Sequence, residues 1–348
     1  MLSLSRLPHR ALRAVALAAA FALPWVGPAS AVTALEVNEA TFDPAAKPRE
    51  GIDPAILRAQ VLVDRLRFSP GAIDGRGGEN FDKALAAFAA SRNLPAGTGL
   101  SADTWTALVE TYPGPVLVPY TISADDVDGP FLKEVPRDFE SMAELKHLGY
   151  ASPREKLAER FHMSPGLLAA LNPKSDFAEA GVPIVVAASR PDPDAKAISN
   201  RNVSAEEGGK APVVRIEIAK AERALRAFDA SGALVAFYPA SIGSDEKPAP
   251  SGSFAIRAIA RDPSYTYDPE YGFKGVKTKK KLTIPPGPNN PVGAVWLDLT
   301  ADSYGIHGTP EPERVGKTFS HGCVRLTNWD VRDLASLAGK GTAVEFRD

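Results

Sequence analysis

The residues with the clearest chemistry are the single cysteine of the chain, Cys323, and the histidines near it. Cys323 stands in the segment Ser320–Leu326 (SHGCVRL), and His307 lies sixteen residues earlier. A thiolate is a strong nucleophile, a neutral imidazole can accept its proton, and a third group must hold the imidazole in the correct tautomer. These residue types together indicate covalent acyl transfer through a cysteine.

The immediate neighbours of Cys323 are suited to the same reaction. Cys323 is predicted to stand just before a helix, whose free N–H groups would favour the thiolate. The backbone N–H groups of His321, Gly322 and Cys323 could stabilise a developing oxyanion, and Gly322 would let the backbone approach closely. His321 could also shape the pocket or assist in proton transfer.

Three further residues are candidates for substrate binding. Arg325 carries a fork-shaped cation that suits a substrate carboxylate. Ser320 is expected to hydrogen-bond within its own loop, and Thr309 follows the His307 motif directly. The candidate substrate site therefore consists of Arg325, Ser320 and Thr309.

The cysteine and the histidines fit a packing role, a zinc site or papain-like catalysis less well. A free cysteine is often only a small buried apolar residue. A zinc site built from His307, His321 and Cys323 would lack an obvious fourth ligand. Papain-like catalysis would place the cysteine early and the histidine far downstream, which is the reverse of the order here. We therefore expect no metal and no cofactor.

The N-terminus is typical of a secretory signal peptide over residues 1–31. A basic segment ends at Arg13, an apolar run of about 13 residues covers 14–26, and Ala29–Ala31 resembles a cleavage site. That run is too short to span a membrane, which takes roughly 20 residues. The chain is therefore expected to be exported to the periplasm without membrane insertion, and its net charge of −2 gives no case for nucleic-acid binding.

Residues 32–50 are expected to form a disordered leader, and residues 51–114 a small all-α domain. Apolar residues recur at helical spacing from Asp53 onward. The order of Gln60, the Pro70–Gly75 turn, Phe88 and Thr104–Leu108 resembles the three-helix peptidoglycan-binding domain, although Ala89 replaces the usual glutamine after the phenylalanine. A generic three-helix bundle with a purely apolar core is the alternative.

Residues 115–188 are expected to form a small α/β module, and residues 189–211 a linker. Two short helices, an Asn-Pro pair and the β-branched run 182–186 resemble a diverged LysM module, a βααβ glycan-binding unit. Its first strand would have to lie near 146–151. The two histidines of this module, His147 and His162, have no ligand cluster around them and are expected to be packing or surface residues.

Residues 212–348 are expected to form a mostly-β domain of sandwich or barrel type. Apolar and polar residues alternate from Val213, and several short strands follow. A helix is predicted only at 329–337, after the cysteine, with a last strand at 342–346.

This C-terminal domain resembles the catalytic domain of the L,D-transpeptidases of the YkuD type. The resemblance is carried by the ordered motifs Tyr238–Gly243, Pro250–Phe254, Pro285–Gly293, Ile306–Thr309 and Ser320–Leu326. It implies that Cys323 attacks a peptidoglycan stem tetrapeptide, releases D-alanine and transfers the acyl group to an amine. It also implies that the Gly308 carbonyl orients the His307 ring, and that carbapenems acylate the cysteine.

The resemblance leaves the acyl acceptor open. It could be another stem peptide, which gives a 3→3 cross-link, or a lysine of a wall-anchored lipoprotein. Water would instead make the protein a carboxypeptidase or a lipoprotein-detaching amidase. A peptidoglycan-binding protein without catalysis is the alternative of a different class. Every alternative except the non-catalytic binding protein predicts a wall-modifying enzyme that contributes to cell-wall biogenesis and cell shape.

Overall fold

Residues 32–348 form one compact unit in the computed structural model of the chain. The predicted signal peptide, most of the predicted linker and His321 lie outside the residues that the structure describes. Within the described part of the chain, no helix is long and apolar enough to cross a membrane. The described residues are 32–47, 49–191, 193, 213–244, 247–271, 278–320 and 322–348.

The N-terminal part is helical, as its apolar spacing predicts. Asp53 caps the first long helix by accepting hydrogen bonds from the Ala55 and Ile56 N–H groups, and Ser101 caps a later helix through the Thr104 N–H group. Both helices bury one apolar face in a shared core. The described helices here are α1 (Ala34–Asn38), α2 (Pro54–Arg65), α3 (Glu79–Ser91) and α4 (Ala102–Thr111).

The prediction of a disordered leader at 32–50 is wrong for its first residues. Helix α1 is closed by a capping box between Thr33 and Glu36, and Val37 is completely buried. The Asn38 side chain accepts hydrogen bonds from the backbone N–H groups of Val116 and Leu117 and donates one to the Leu117 carbonyl at 2.9 Å. This segment is ordered because its apolar and amide groups find partners far along the chain.

The middle part pairs two strands around several short helices. Asn172 follows the last helix and binds it to the second strand. Its side-chain oxygen accepts from the Val185 N–H group, and its side-chain NH₂ group donates to the Val185 carbonyl. Strand β1 runs antiparallel to β2, with Val118 opposite Val186. The elements are β1 (Leu117–Thr121), α5 (Ala124–Val127), α6 (Phe139–Ala143), α7 (Pro153–Arg160), α8 (Pro165–Leu171) and β2 (Pro183–Ala187).

The first strand of this module does not lie at 146–151, as the sequence predicts. It lies at Leu117–Thr121, and the segment around Leu148 is a loop. Leu148 instead bonds through its N–H group to the Pro286 carbonyl at 2.8 Å. The strand signal of β1 is weak because Pro119 stands at its centre, where it removes a backbone donor.

The C-terminal part is mostly β, and its nine-stranded sheet is barrel-like, with helix α9 (Asn328–Leu337) after the cysteine. The sheet order is β5-β4-β3-β13-β7-β10-β11-β12-β6, and β8 and β9 form a separate hairpin. The strands are β3 (Arg215–Ala219), β4 (Ala224–Phe228), β5 (Leu234–Pro239), β6 (Ser241–Ile242), β7 (Gly252–Arg261), β8 (Tyr265–Tyr267), β9 (Leu282–Ile284), β10 (Val295–Leu299), β11 (Gly305–His307), β12 (Val324–Arg325) and β13 (Ala343–Arg347).

A buried ionic cluster joins the three parts of the chain. The Arg190 guanidinium lies 2.5 Å from Asp330, 3.3 Å from Asp333 and 3.4 Å from Asp64 (nitrogen to oxygen). All four side chains are at most 4% exposed. Arg190 falls in the predicted linker, so that prediction is wrong at its start. Its three carboxylate partners hold it inside, because a buried cation needs opposite charges around it.

The helical part also contacts the sheet directly. The Ser69 N–H group donates to the Phe237 carbonyl at 2.9 Å, and the Phe237 N–H group donates to the Arg67 carbonyl at 2.8 Å. Phe237 is completely buried in the same apolar cluster as α2 and α3. The domain boundaries at 114, 188 and 212 remain predictions. The two N-terminal segments share one apolar cluster, which also takes in Ala224 and Phe237, whereas the rest of the C-terminal part has a core of its own.

Candidate active site

The strand register places His307 and Arg325 on one face of the sheet. Strands β11 and β12 are parallel, with Ile306 opposite Val324 and His307 opposite Arg325. Ile306 and Val324 are completely buried and point into the core. Because side chains alternate along a strand, His307 and Arg325 share the opposite face. Cys323 stands in the bend directly before β12, and the Gly305 backbone and the Arg325 charge both act on its thiol. The sheet thus brings together residues from two separate motifs.

The tautomer of His307 is set by its hydrogen bond. Its Nδ1 atom lies 2.7 Å from the Gly308 carbonyl oxygen, which is the contact that the family resemblance implied. A carbonyl can only accept, so Nδ1 carries the hydrogen and Nε2 keeps a free lone pair. The imidazole therefore has the form that a proton acceptor needs.

His307 is neutral at ordinary pH. The residue is 4% exposed, and its ring stacks on the Trp296 ring at 5.3 Å between centroids and an angle of 17°. Burial, followed by the charge of Arg325, lowers the pKa of His307 to about 3, although the backbones of Gly308 and Val292 act in the opposite direction. Sequence reasoning missed Trp296, because only the pairing of β10 with β11 places it opposite His307.

The Cys323 thiol is free and only partly exposed. Its Sγ atom lies 3.9 Å from the Ser303 carbonyl oxygen, to which the S–H group can donate. Burial raises the pKa of the thiol above its ordinary value, and the Gly305 backbone and the Arg325 charge only partly offset this. The resting state thus pairs a neutral thiol with a neutral imidazole.

The prediction that a helix N-terminus activates the thiol is wrong. Val324 and Arg325 form strand β12, which bonds to β11 on one side and to β6 on the other. Helix α9 begins only at Asn328, and Thr327 caps it by accepting from the Asp330 N–H group. The chain stays extended after Cys323 because both of its edges are paired.

Gly322 can only be a glycine in this backbone. Its φ angle is +107°, a region that side-chain-bearing residues rarely enter. A Cβ atom there would lie 2.9 Å from the Tyr304 ring. The Tyr304 hydroxyl donates to the Pro248 carbonyl at 3.4 Å, so the ring covers the loop that holds the cysteine. Sequence reasoning singled out Gly322 but missed Tyr304.

Two of the predicted substrate-binding residues already form hydrogen bonds within the protein. Ser320 is 2% exposed, and its hydroxyl donates to the Cys323 carbonyl, which agrees with the predicted bond inside the loop. Thr309 is also buried and accepts a hydrogen bond from the Glu311 N–H group at 3.3 Å. Both hydroxyls hold loops in place, and neither reaches a substrate unless it leaves its partner.

Arg325 is the predicted binding residue whose charge is available. Among the described residues, no carboxylate lies within ion-pair distance of its guanidinium. Its nearest charges include Cys323, Glu311 and Arg314, and burial lowers the pKa of the guanidinium without removing its charge at ordinary pH. A carboxylate of a substrate could therefore form the bidentate pair that the protein does not supply.

The raised pKa of the thiol gives a testable pH dependence. Because the thiolate is the reactive form, we expect iodoacetamide to alkylate Cys323 with a midpoint above the roughly 8.5 of a free cysteine. Arg325→Met should move the midpoint further up, since it removes a charge that favours the thiolate. Mass spectrometry follows the alkylation, with the denatured chain as reference. A midpoint well below that of the denatured chain would contradict a neutral resting thiol.

Comparisons with known proteins agree with this geometry. The profile of the YkuD family, described as the L,D-transpeptidase catalytic domain, matches residues 213–346. A putative L,D-transpeptidase YkuD of Bacillus licheniformis is 34% identical over 132 residues, which cover 38% of this chain and 64% of that protein. The Bacillus subtilis YkuD protein is 51% identical over 57 residues, covering 16% and 35%.

The matches cover only part of each relative. The chain spans 64% or less of the length of these two proteins. The solved structure of L,D-transpeptidase 3 from Mycobacterium tuberculosis with a faropenem-derived adduct shares 18% identity over 39% of this chain and 61% of that chain, with a TM-score of 0.33. The family match itself contains both His307 and Cys323. Residues 213–346 of this chain are thus similar to the L,D-transpeptidase catalytic domain of the YkuD type.

Proposed function

We propose that this protein is a periplasmic, cysteine-dependent L,D-transpeptidase that acts on peptidoglycan stem peptides. One observation carries the proposal: Arg325 and a neutral His307 with a free Nε2 lone pair share one face of the sheet, and the Cys323 thiol lies near the Arg325 charge and the Gly305 backbone. A catalytically inactive binding protein would not need this combination. The reaction uses no cofactor, because the thiol and the imidazole supply the nucleophile and the base.

The first half of the reaction forms a thioester. The Cys323 Sγ attacks the carbonyl carbon of the third stem residue while its proton passes to His307 Nε2. We propose that the backbone N–H groups of Gly322 and Cys323 donate to the negative oxygen of the tetrahedral intermediate. The C–N bond to the terminal D-alanine then breaks, and the proton on His307 goes to the leaving amine. Arg325 holds a substrate carboxylate during these steps.

The second half transfers the acyl group. An acceptor amine attacks the thioester carbon, His307 takes a proton from that amine, and the C–S bond breaks to return the neutral thiol. The acceptor is the side chain of another stem peptide or a lysine of a wall-anchored lipoprotein. The N-terminal segments 51–114 and 115–188 are proposed to bind the glycan of the wall, which places the acceptor near the site.

The products distinguish the possible outcomes. The protein without residues 1–31 is incubated with purified disaccharide-tetrapeptide, beside Cys323→Ala, and the products are read by mass spectrometry. We expect a dimer that has lost one alanine. Tripeptide alone would show hydrolysis of the thioester. No turnover, together with no adduct from imipenem, would contradict the proposal and favour a binding protein.

A further inference from the structure

The side chain of Asn328 connects the histidine loop to another part of the chain. It is completely buried at the start of α9. Its Oδ1 atom accepts from the Ala294 N–H group at 3.0 Å, and its Nδ2 atom donates to the Pro288 carbonyl at 3.1 Å and to Glu159 Oε2 at 2.8 Å. Every hydrogen-bonding group of this amide therefore has a partner.

The same amide lies against the backbone that orients His307. A Cβ atom at Gly308 would lie 2.2 Å from Asn328 Oδ1, so the two groups are in close contact. The Gly308 carbonyl holds the His307 ring through Nδ1. A rotation or displacement of the Asn328 side chain would therefore disturb the carbonyl that sets the histidine tautomer.

Glu159 adds a charged partner to the orientation of the Asn328 amide that Ala294 and Pro288 also require. A carboxylate only accepts hydrogen bonds, so it requires the NH₂ end of the amide on its side and leaves Oδ1 for Ala294. Its other oxygen, Oε1, accepts from the Tyr150 hydroxyl at 2.8 Å and from Arg332 Nη1 at 2.9 Å. The Glu159 side chain is 10% exposed, which strengthens these charge-assisted bonds.

We infer that Glu159, in helix α7 of the middle module, is a positioning residue for His307 and acts through Asn328. The residue lies outside the segment 213–346 that matches the family, so the catalytic histidine depends on a part of the chain that the family match does not contain. Glu159 does not touch the reacting atoms. The inference rests on the proposed function, because it takes His307 as the base.

The test measures acylation of Cys323 by imipenem in the full exported chain. The limiting rate and the half-saturating concentration are determined for wild type, Glu159→Gln, Arg332→Met and Glu140→Gln, whose side chain is exposed on α6. We expect Glu159→Gln to lower the limiting rate at least tenfold with the half-saturating concentration unchanged. Arg332→Met breaks the same ion pair but leaves the Asn328 contact, and it should stay within threefold of wild type, as should Glu140→Gln.

A donor–acceptor exchange provides the second measurement. Asn328→Asp alone sets two carboxylates against each other and should be slower than Glu159→Gln. In the double variant Glu159→Gln/Asn328→Asp the introduced amide can donate to the introduced carboxylate, so at least fivefold of the rate of Asn328→Asp should return. This comparison remains valid if one single variant folds poorly.

The outcomes separate the two proposals. Equal losses in Glu159→Gln and Arg332→Met, or no rescue in the double variant, would overturn the positioning role and leave only a structural ion pair. A normal rate in a folded Glu159→Gln would do the same. If imipenem does not acylate Cys323 in the wild-type protein, the proposed function fails, and the positioning role fails with it.

Discussion

Replacing Cys323 by alanine is expected to abolish acylation and transpeptidation, with a loss of roughly four or more powers of ten in rate. The chain contains one cysteine, so no other thiol can replace the nucleophile. Intact-mass spectrometry after incubation with imipenem measures the adduct directly. Imipenem is a suitable probe because it belongs to the carbapenems, the class that the family resemblance implies will acylate the cysteine.

The control for this variant is Cys323→Ser, which keeps the shape of the side chain and a hydroxyl group. It should also lose turnover, because a serine hydroxyl beside the same histidine is a much weaker nucleophile than a thiol. Both variants should keep the melting temperature of the wild type within a few degrees, since the side chain is small and partly exposed. An adduct that survives Cys323→Ala would remove Cys323 from the role of nucleophile.

Arg190→Met is expected to lower the free energy of unfolding by about 3–5 kcal/mol. The substitution leaves Asp64, Asp330 and Asp333 buried without their shared cation. Burial favours a high pKa at Asp64, but Arg190 and then His162 outweigh it and hold that pKa at about 2. Chemical denaturation followed by circular dichroism measures the loss.

The pH dependence of this loss follows from the same charges. In the variant, Asp64 loses the cation that holds its pKa low, so it takes up a proton at higher pH than in the wild type. Its unpaired charge then disappears as the pH falls, and the deficit should be smaller at pH 4 than at pH 7. Arg154→Met, at an exposed position of α7, should stay within about 0.5 kcal/mol of wild type. Equal stability of the two variants would contradict the role of the cluster.

The cluster and the Glu159 contact join the middle part of the chain to helix α9. Arg190, two residues after the predicted module, binds Asp330 and Asp333 of α9, and Glu159 binds Asn328 at the start of the same helix. Residues outside the segment 213–346 therefore bind helix α9 at Asn328, Asp330 and Asp333. This arrangement explains why residues 32–348 form one compact unit although the sequence predicts three modules.

The proposed chemistry and most of the local structure could be predicted from the sequence. The types and order of His307, Gly308 and Cys323 predict acyl transfer and the family, because those functions depend on a few residues at fixed spacing. Capping residues such as Asp53 and Ser101 predict helix starts, because a cap acts on the N–H groups two or three residues ahead. Alternating strands from Val213 were likewise predictable, since their pattern is local.

The protonation state of the site and the contacts that hold it depend on the tertiary fold. The raised pKa of Cys323 and the lowered pKa of His307 come from burial, which depends on how distant strands pair. Strand β1, the burial of Arg190 and the bond between Glu159 and Asn328 all join groups more than 60 residues apart in the chain. Local propensity carries no information about such partners. Arg190, Glu159 and Asn328 are of types that usually lie at the surface, and only folding supplies the groups that pair with them.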